Sequence, residues 1–144
     1  MKTNCGFTRI DTDVQALARL DGKPLVHEEI SRIIIGAAME VLNTLGCGFS
    51  EKIYEKAIVV ELLAKQLKIE QQKRFAVRYK NVEVGEYIPD LLVENKVIVD
   101  TKVVESIRSE HQAQMLNYLA VTGLKLGLII NFRRPKLEYQ RIVR

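Results

Sequence analysis

An α/β sandwich with a mixed sheet is the fold class this chain predicts, and three observations predict it. Apolar residues recur at three- and four-residue spacing over 27–45 and again over 109–122, the signature of helices with one buried stripe. Between them, from about residue 75 to 104, the period changes to two, as in half-buried strands. A short and almost wholly apolar run, 126–131, then fits a strand covered on both faces.

Residues 1–24 are mixed and aperiodic and are closed by Gly22 and Pro24, so they read as an N-terminal extension, and 25–144 as the folded domain. Ile30, Ile33, Ile34, Ala37, Ala38, Val41, Leu42 and Leu45 make the stripe of the first helix, and Gly46-Cys47-Gly48 supplies its stop. A second helix is expected over 50–67, with Ser50 in the N-cap position. Phe75, Val77 and Tyr79 alternate with Arg74, Ala76 and Arg78, Lys80-Asn81 marks a turn, and Val82 and Val84 continue on the far side. Pro89 cannot donate to a ladder and so marks an edge or a strand start. Ser109–Thr122 is the third helix, with Ala113, Leu116, Leu119 and Ala120 expected inward and Gly123 as its stop. Residues 139–143 suit a last edge strand. The order is helices, an antiparallel meander of three or four strands, a helix and a later strand.

The chain is 144 residues long, which suits one domain with a real core. No apolar run approaches ~18 residues, so no membrane span is expected, and Asp11 and Asp13 argue against a signal peptide. Cys5 and Cys47 lie far apart in unlike contexts, which suggests free thiols in a reducing, cytoplasmic compartment and offers no zinc spacing. The net charge of +4, from 22 basic and 18 acidic residues, is compatible with a polyanionic partner without demanding one.

The most informative stretch is Pro89-Asp90 followed by Asp100-Thr101-Lys102. It lies in a strongly apolar hairpin that includes Leu91, Leu92, Val93, Val97, Ile98 and Val99. If Glu94-Asn95-Lys96 forms the loop, Val93 pairs with Val97, and counting back sets Asp90 opposite Asp100. Facing Cβ atoms stand about 4.5–5.5 Å apart, and two carboxylates at about 5 Å repel by roughly 3 kcal/mol at an effective dielectric near 20. A cation between them removes that cost. Lys102, on the same face as Asp100, is one candidate and a divalent metal is the other. A slipped register, or an ordinary Asp100–Lys102 ion pair on a solvated strand, accounts for the same residues without chemistry.

The string Pro89-Asp90…Asp100-Thr101-Lys102 resembles the signature of the PD-(D/E)XK nuclease superfamily. Gly48-Phe49-Ser50-Glu51-Lys52-Ile53-Tyr54 is similar to the motif that names the GxxExxY protein family, which is grouped with those nucleases. Gln114-Met115-Leu116-Asn117-Tyr118 resembles the Q-x-x-x-Y element of RecB-type branches, and Gly127-Leu128-Ile129-Ile130-Asn131-Phe132 resembles the late strand. Together these cover roughly 25–144. The resemblance implies a restriction-endonuclease-like core, a mixed β-sheet flanked by helices. It implies that Asp90, Asp100, Glu51 and the Thr101 carbonyl bind Mg²⁺ or Mn²⁺. It also implies that Lys102 orients water or stabilises charge on phosphorus, and that Gln114 joins them in catalysis.

Tyr54, Tyr118, Arg133 and Arg134 would contact the substrate. A core tyrosine and a polar helix stripe explain Tyr54 and the Gln114–Tyr118 pair equally simply. Lys136, Arg141 and Arg144 extend the C-terminal basic group, and Arg74, Arg78 and Lys80 form a second one, open to balance by Glu83 and Glu86. Asp100 stands where many relatives carry glutamate, one methylene longer. The implied activity is metal-dependent hydrolysis of phosphodiester bonds, with nucleic acid as the partner, DNA ahead of RNA, no membrane, and a homodimer as the assembly. The competing readings are a nuclease fold that binds nucleic acid without turnover, and an assembly protein in which Asp90, Asp100 and Lys102 are a structural ion cluster.

Overall fold

The computed structural model describes residues 25–144, so the extension expected over 1–24 lies outside it. Two helices come first, α1 (Glu28–Leu45) and α2 (Glu51–Ala64), followed by β1 (Ile69–Gln71), β2 (Phe75–Tyr79), β3 (Val82–Tyr87), β4 (Leu91–Val93) and β5 (Val97–Lys102). Helix α3 (Ser109–Thr122), β6 (Leu126–Asn131) and β7 (Glu138–Val143) complete the fold. The main sheet runs β1-β4-β5-β6-β7, while β2 and β3 form a separate two-stranded sheet. Pairing is antiparallel except between β5 and β6, which are parallel and joined through α3.

Period-two alternation sorts the core into two layers. Leu91, Val93, Val97, Val99, Leu128 and Ile130 point to one face and meet Ile34, Leu42, Ile58 and Leu62 of α1 and α2. Leu92, Ile98 and Ile129 point to the other and meet Met115 and Leu119 of α3, with Tyr87 and Ile107. All six residues of β6 are buried, as its apolar run requires of a strand covered on both sides.

The turns fix the registers. Glu94 and Asn95 have φ of 54° and 56°, and the Lys96 N–H donates to the Val93 carbonyl at 3.0 Å, so the turn delivers Val93 opposite Val97. Lys80 and Asn81, at 48° and 66°, do the same between Tyr79 and Val82.

Four details differ from the sequence reading. Strand β1 takes the place beside β4 that the meander gave to β3; three residues are too few to show a period. Helix α2 stops at Ala64, short of 67, because Gln66 turns left-handed (φ 63°) and the Gln66 and Leu67 N–H groups close back on Leu63 and Leu62, a C-cap made without glycine. Ser50 stands at the N-cap but makes no capping bond through its side chain. Helix α3 is rotated: Met115 and Leu119 are buried, while Ala113, Leu116 and Ala120 are exposed. In addition, Cys47 is disulfide-bonded, which removes the free-thiol argument for a reducing compartment; Cys5 lies outside the described residues. No described helix is long and apolar enough to cross a membrane.

Candidate active site

The candidate site lies at the carboxyl end of β5, where its parallel neighbour β6 also ends: Lys102 pairs with Asn131, and the Phe132 N–H donates to the Lys102 carbonyl at 2.9 Å. Crevices at the carboxyl ends of parallel strands are where α/β sheets commonly place ligands. The β4–β5 register pairs Leu91 with Val99, and carried one residue further it sets Asp90 opposite Asp100. Asp90 lies in the loop just before β4. Its Oδ2 accepts from the Thr101 N–H at 2.9 Å and from the Thr101 hydroxyl at 3.0 Å, so Thr101, itself buried, ties the two aspartates to one another.

Asp100 is the most perturbed carboxylate. Burial raises its pKa to about 6; Lys102 opposes that shift, and the charges of Asp90 and Glu51 add to it. Lys102 Nζ lies 3.3 Å from Asp100 Oδ2, and both side chains are mostly covered. The cation that pairs with Asp100 is therefore Lys102. Glu51, in the first turn of α2, reaches across the sheet and accepts from the Val103 N–H at 3.2 Å.

Helix α3 supplies the next wall. Tyr118 is half-buried, and burial first, then the charge of Asp100, raises its pKa, while a hydrogen bond from the Gln114 side chain opposes the rise. Tyr118 thus stands near Asp100 and Lys102, with Gln114 bonded to it from one turn earlier on the helix.

Tyr54 does not. It is fully enclosed, stacks on Phe132 with ring centroids 4.5 Å apart, donates from its hydroxyl to the Gly46 carbonyl at 2.6 Å, and accepts from the Phe49 N–H. The core reading of Tyr54 replaces the substrate-contact reading, since both the ring and the hydroxyl are engaged. Arg133 and Arg134 follow β6 at the same end of the sheet, exposed, and share Glu105 at 3.1 and 3.2 Å. Arg141 belongs elsewhere, donating to the Ser31 hydroxyl and the Val26 carbonyl. Arg74 pairs with Glu83 and Glu86 across the β2–β3 hairpin, so the second basic group is partly balanced.

The residues present fit a hard cation in chemistry, with two oxygen-bearing aspartates, one of them holding its proton to unusually high pH because it is buried. They do not assemble the three-carboxylate set that the resemblance implies: among the described residues no three His, Cys, Asp or Glu side chains stand together as a metal site. Asp90 turns to Thr101, Asp100 to Lys102 and Glu51 to Val103. Magnesium is commonly held by one or two carboxylates with water and substrate phosphate, so the Asp90–Asp100 pair suffices in donor number.

Sequence reasoning missed Tyr87. It is buried at the end of β3, stacked on Tyr118 with centroids 3.5 Å apart, and its pKa is driven upward by burial and then by the charges of Asp100, Tyr118 and Asp90. Its place two residues before Pro89-Asp90 was the available signal. It also missed Asn131 and Glu138, which together clamp the β5–α3 connection by bonds to Val104 and Ile107.

Residues 28–142 match the family model of the PD-(D/E)XK nuclease superfamily, and the chain belongs to that superfamily. No curated protein and no solved structure matches it.

Proposed function

We propose that this protein is a Mg²⁺- or Mn²⁺-dependent nuclease that hydrolyses nucleic-acid phosphodiester bonds, with DNA ahead of RNA, and that it belongs to the GxxExxY branch of its superfamily. The observation that carries the reading is Asp100, a buried carboxylate set against Asp90, with Lys102 beside it at the carboxyl ends of the parallel strands. Asp90 and Asp100 would hold the metal, with the Thr101 carbonyl as a further oxygen donor, while Glu51 stays bonded to the Val103 N–H. When bound, it supplies Lewis-acid polarisation of a phosphoryl oxygen and a more acidic water.

The chain's own residues do the rest. Thr101 fixes the Asp90 carboxylate, and Lys102 pairs with Asp100. Lys102, once parted from Asp100, stabilises the charge that builds on phosphorus. Gln114 and Tyr118 position the phosphate from α3, and Arg133 and Arg134 attract the flanking backbone. The seven-residue motif supports the branch assignment through a local logic: Gly48 turns with φ 112°, Tyr54 locks the corner onto Gly46, and Glu51 is thereby laid over the end of β5.

Cleavage should require Mg²⁺ or Mn²⁺ and vanish in Asp90→Ala and Lys102→Ala proteins whose thermal unfolding remains cooperative. Equal cleavage by wild type and Asp90→Ala, purified side by side, sinks the proposal. The closed Asp100–Lys102 pair favours one second reading, a nuclease fold that binds nucleic acid without turnover. It predicts salt-dependent binding that EDTA does not touch and no cleavage by the wild type.

A further inference from the structure

The Tyr87 hydroxyl is buried and has no hydrogen-bond partner, within a side chain only 7% exposed. An unmade bond of this kind costs folding free energy, and replacing tyrosine by phenylalanine would remove the cost while keeping the ring. The ring has a packing role of its own, between Phe75 at 6.5 Å and Tyr118 at 3.5 Å. That role explains an aromatic residue at this position but not a hydroxyl. Tyr87 also packs with Leu92 and Ile98, which share a sheet face with Asp90 and Asp100, two residues along the chain.

Lys102 cannot neutralise Asp100 and act on a phosphate at the same time. When it leaves, a carboxylate with only 16% of its side chain exposed loses the partner it holds at 3.3 Å. Asp90 cannot help, being an anion itself, and the Thr101 N–H and hydroxyl are already given to Asp90. Among the described residues, Tyr87 is a buried donor without a partner on this face of the sheet. We propose that Tyr87 is a positioning residue for Asp100: its hydroxyl donates to the Asp100 carboxylate when Lys102 departs, and so holds Asp100 in the geometry the ligand needs. The exchange breaks one ion pair and makes one O–H···O hydrogen bond, with no proton transferred. The idea rests on the proposed nuclease reading for its purpose, but not for its test.

A double-mutant cycle on folding stability tests it without metal or substrate. Tyr87→Phe in the wild type leaves the urea midpoint unchanged or raises it. In a Lys102→Met background, where Asp100 is already free to take the hydroxyl, Tyr87→Phe lowers the folding equilibrium constant about ten-fold, the size expected for a hydrogen bond to a charged group. Equal effects of Tyr87→Phe in both backgrounds overturn the proposal. If Lys102→Met does not fold, calorimetric titration of Mn²⁺ into wild type and Tyr87→Phe decides. An outer-shell donor to a metal carboxylate is worth 10- to 100-fold in affinity, so a drop of about ten-fold at unchanged thermal stability supports the role, and identical affinities overturn it. Absence of Mn²⁺ binding by the wild type counts against the nuclease reading alone, and the stability cycle then remains the test of Tyr87, run with Lys102→Gln if Lys102→Met is unfolded.

Discussion

Asp100 works against folding at neutral pH, and its titration has a sign that can be checked. Its folded pKa is about 6, against an ordinary value of 3.8. The folded state therefore binds the extra proton between those values. The contribution of Asp100 to stability is greatest below about pH 4, falls as pH rises towards 6, and stays lower above it. A shift of this size corresponds to roughly 1–3 kcal/mol. Asp100→Asn should remove that slope and stabilise the protein at pH 7, in urea melts run from pH 4 to 8; parallel profiles for the two proteins would refute the assignment. Tyr54 makes a contrasting prediction. Tyr54→Phe loses the bond to the Gly46 carbonyl and should cost about 1–2 kcal/mol, yet leave nucleic-acid affinity unchanged, because the side chain is closed off from the site. The aspartate pair was legible in the sequence because turn chemistry and strand period gave a countable register. Tyr54 and Tyr87 were not, because whether a tyrosine hydroxyl is engaged depends on neighbours brought from other elements.

Elements were legible where they are long and periodic, and illegible where tertiary contacts decide them. Helix α1 presents the stripe its spacing predicts, whereas α3 turns a different side inward from the one its aliphatic residues suggested. The reason is in the strand beneath it. Gly127 of β6 leaves a hollow, and Met115 fills it: a Cβ at Gly127 would run into the Met115 sulfur. The flexible thioether suits such a gap, and seating it rotates Leu116 out into solvent, where it is 42% exposed. Gly127→Val should therefore overpack the α3–β6 contact and cost about 1–3 kcal/mol. Combined with Met115→Ala, its cost should be less than the sum of the two single substitutions, measured by urea midpoints. Strict additivity would mean that Met115 does not occupy the space above Gly127. Strand β1 was missed for a related reason, since it acquires its identity only by pairing with β4.

For the molecule as a whole, the arrangement puts its catalytic candidates and two exposed cations at one end of the sheet. Lys102 ends β5, Asn131 ends β6, and Arg133 and Arg134 follow directly. Among the described residues these arginines pair with Glu105, whose side chain is 65% exposed. Exposed ion pairs contribute about 0–1 kcal/mol, so exchanging Glu105 for a phosphate costs little, and the pairs leave the guanidinium groups available to a polyanion. The sequence located this basic group but could not divide it. Arg141, close by in the chain, is committed to α1 through Ser31, a contact between residues too distant in sequence for any local pattern to announce. Replacing Arg133 and Arg134 together by serine should leave thermal stability unchanged and weaken binding to a DNA duplex of arbitrary sequence. Each phosphate contact contributes about 0.9 to the slope of log affinity against log salt concentration, so the slope should fall by about 1.8 if both arginines touch the backbone. Binding titrations at several salt concentrations, with Arg141→Ser as a comparison that loses stability instead, read this directly. An unchanged slope would move the nucleic-acid surface away from this end of the sheet, towards the exposed Arg78 and Lys80 of the β2–β3 hairpin.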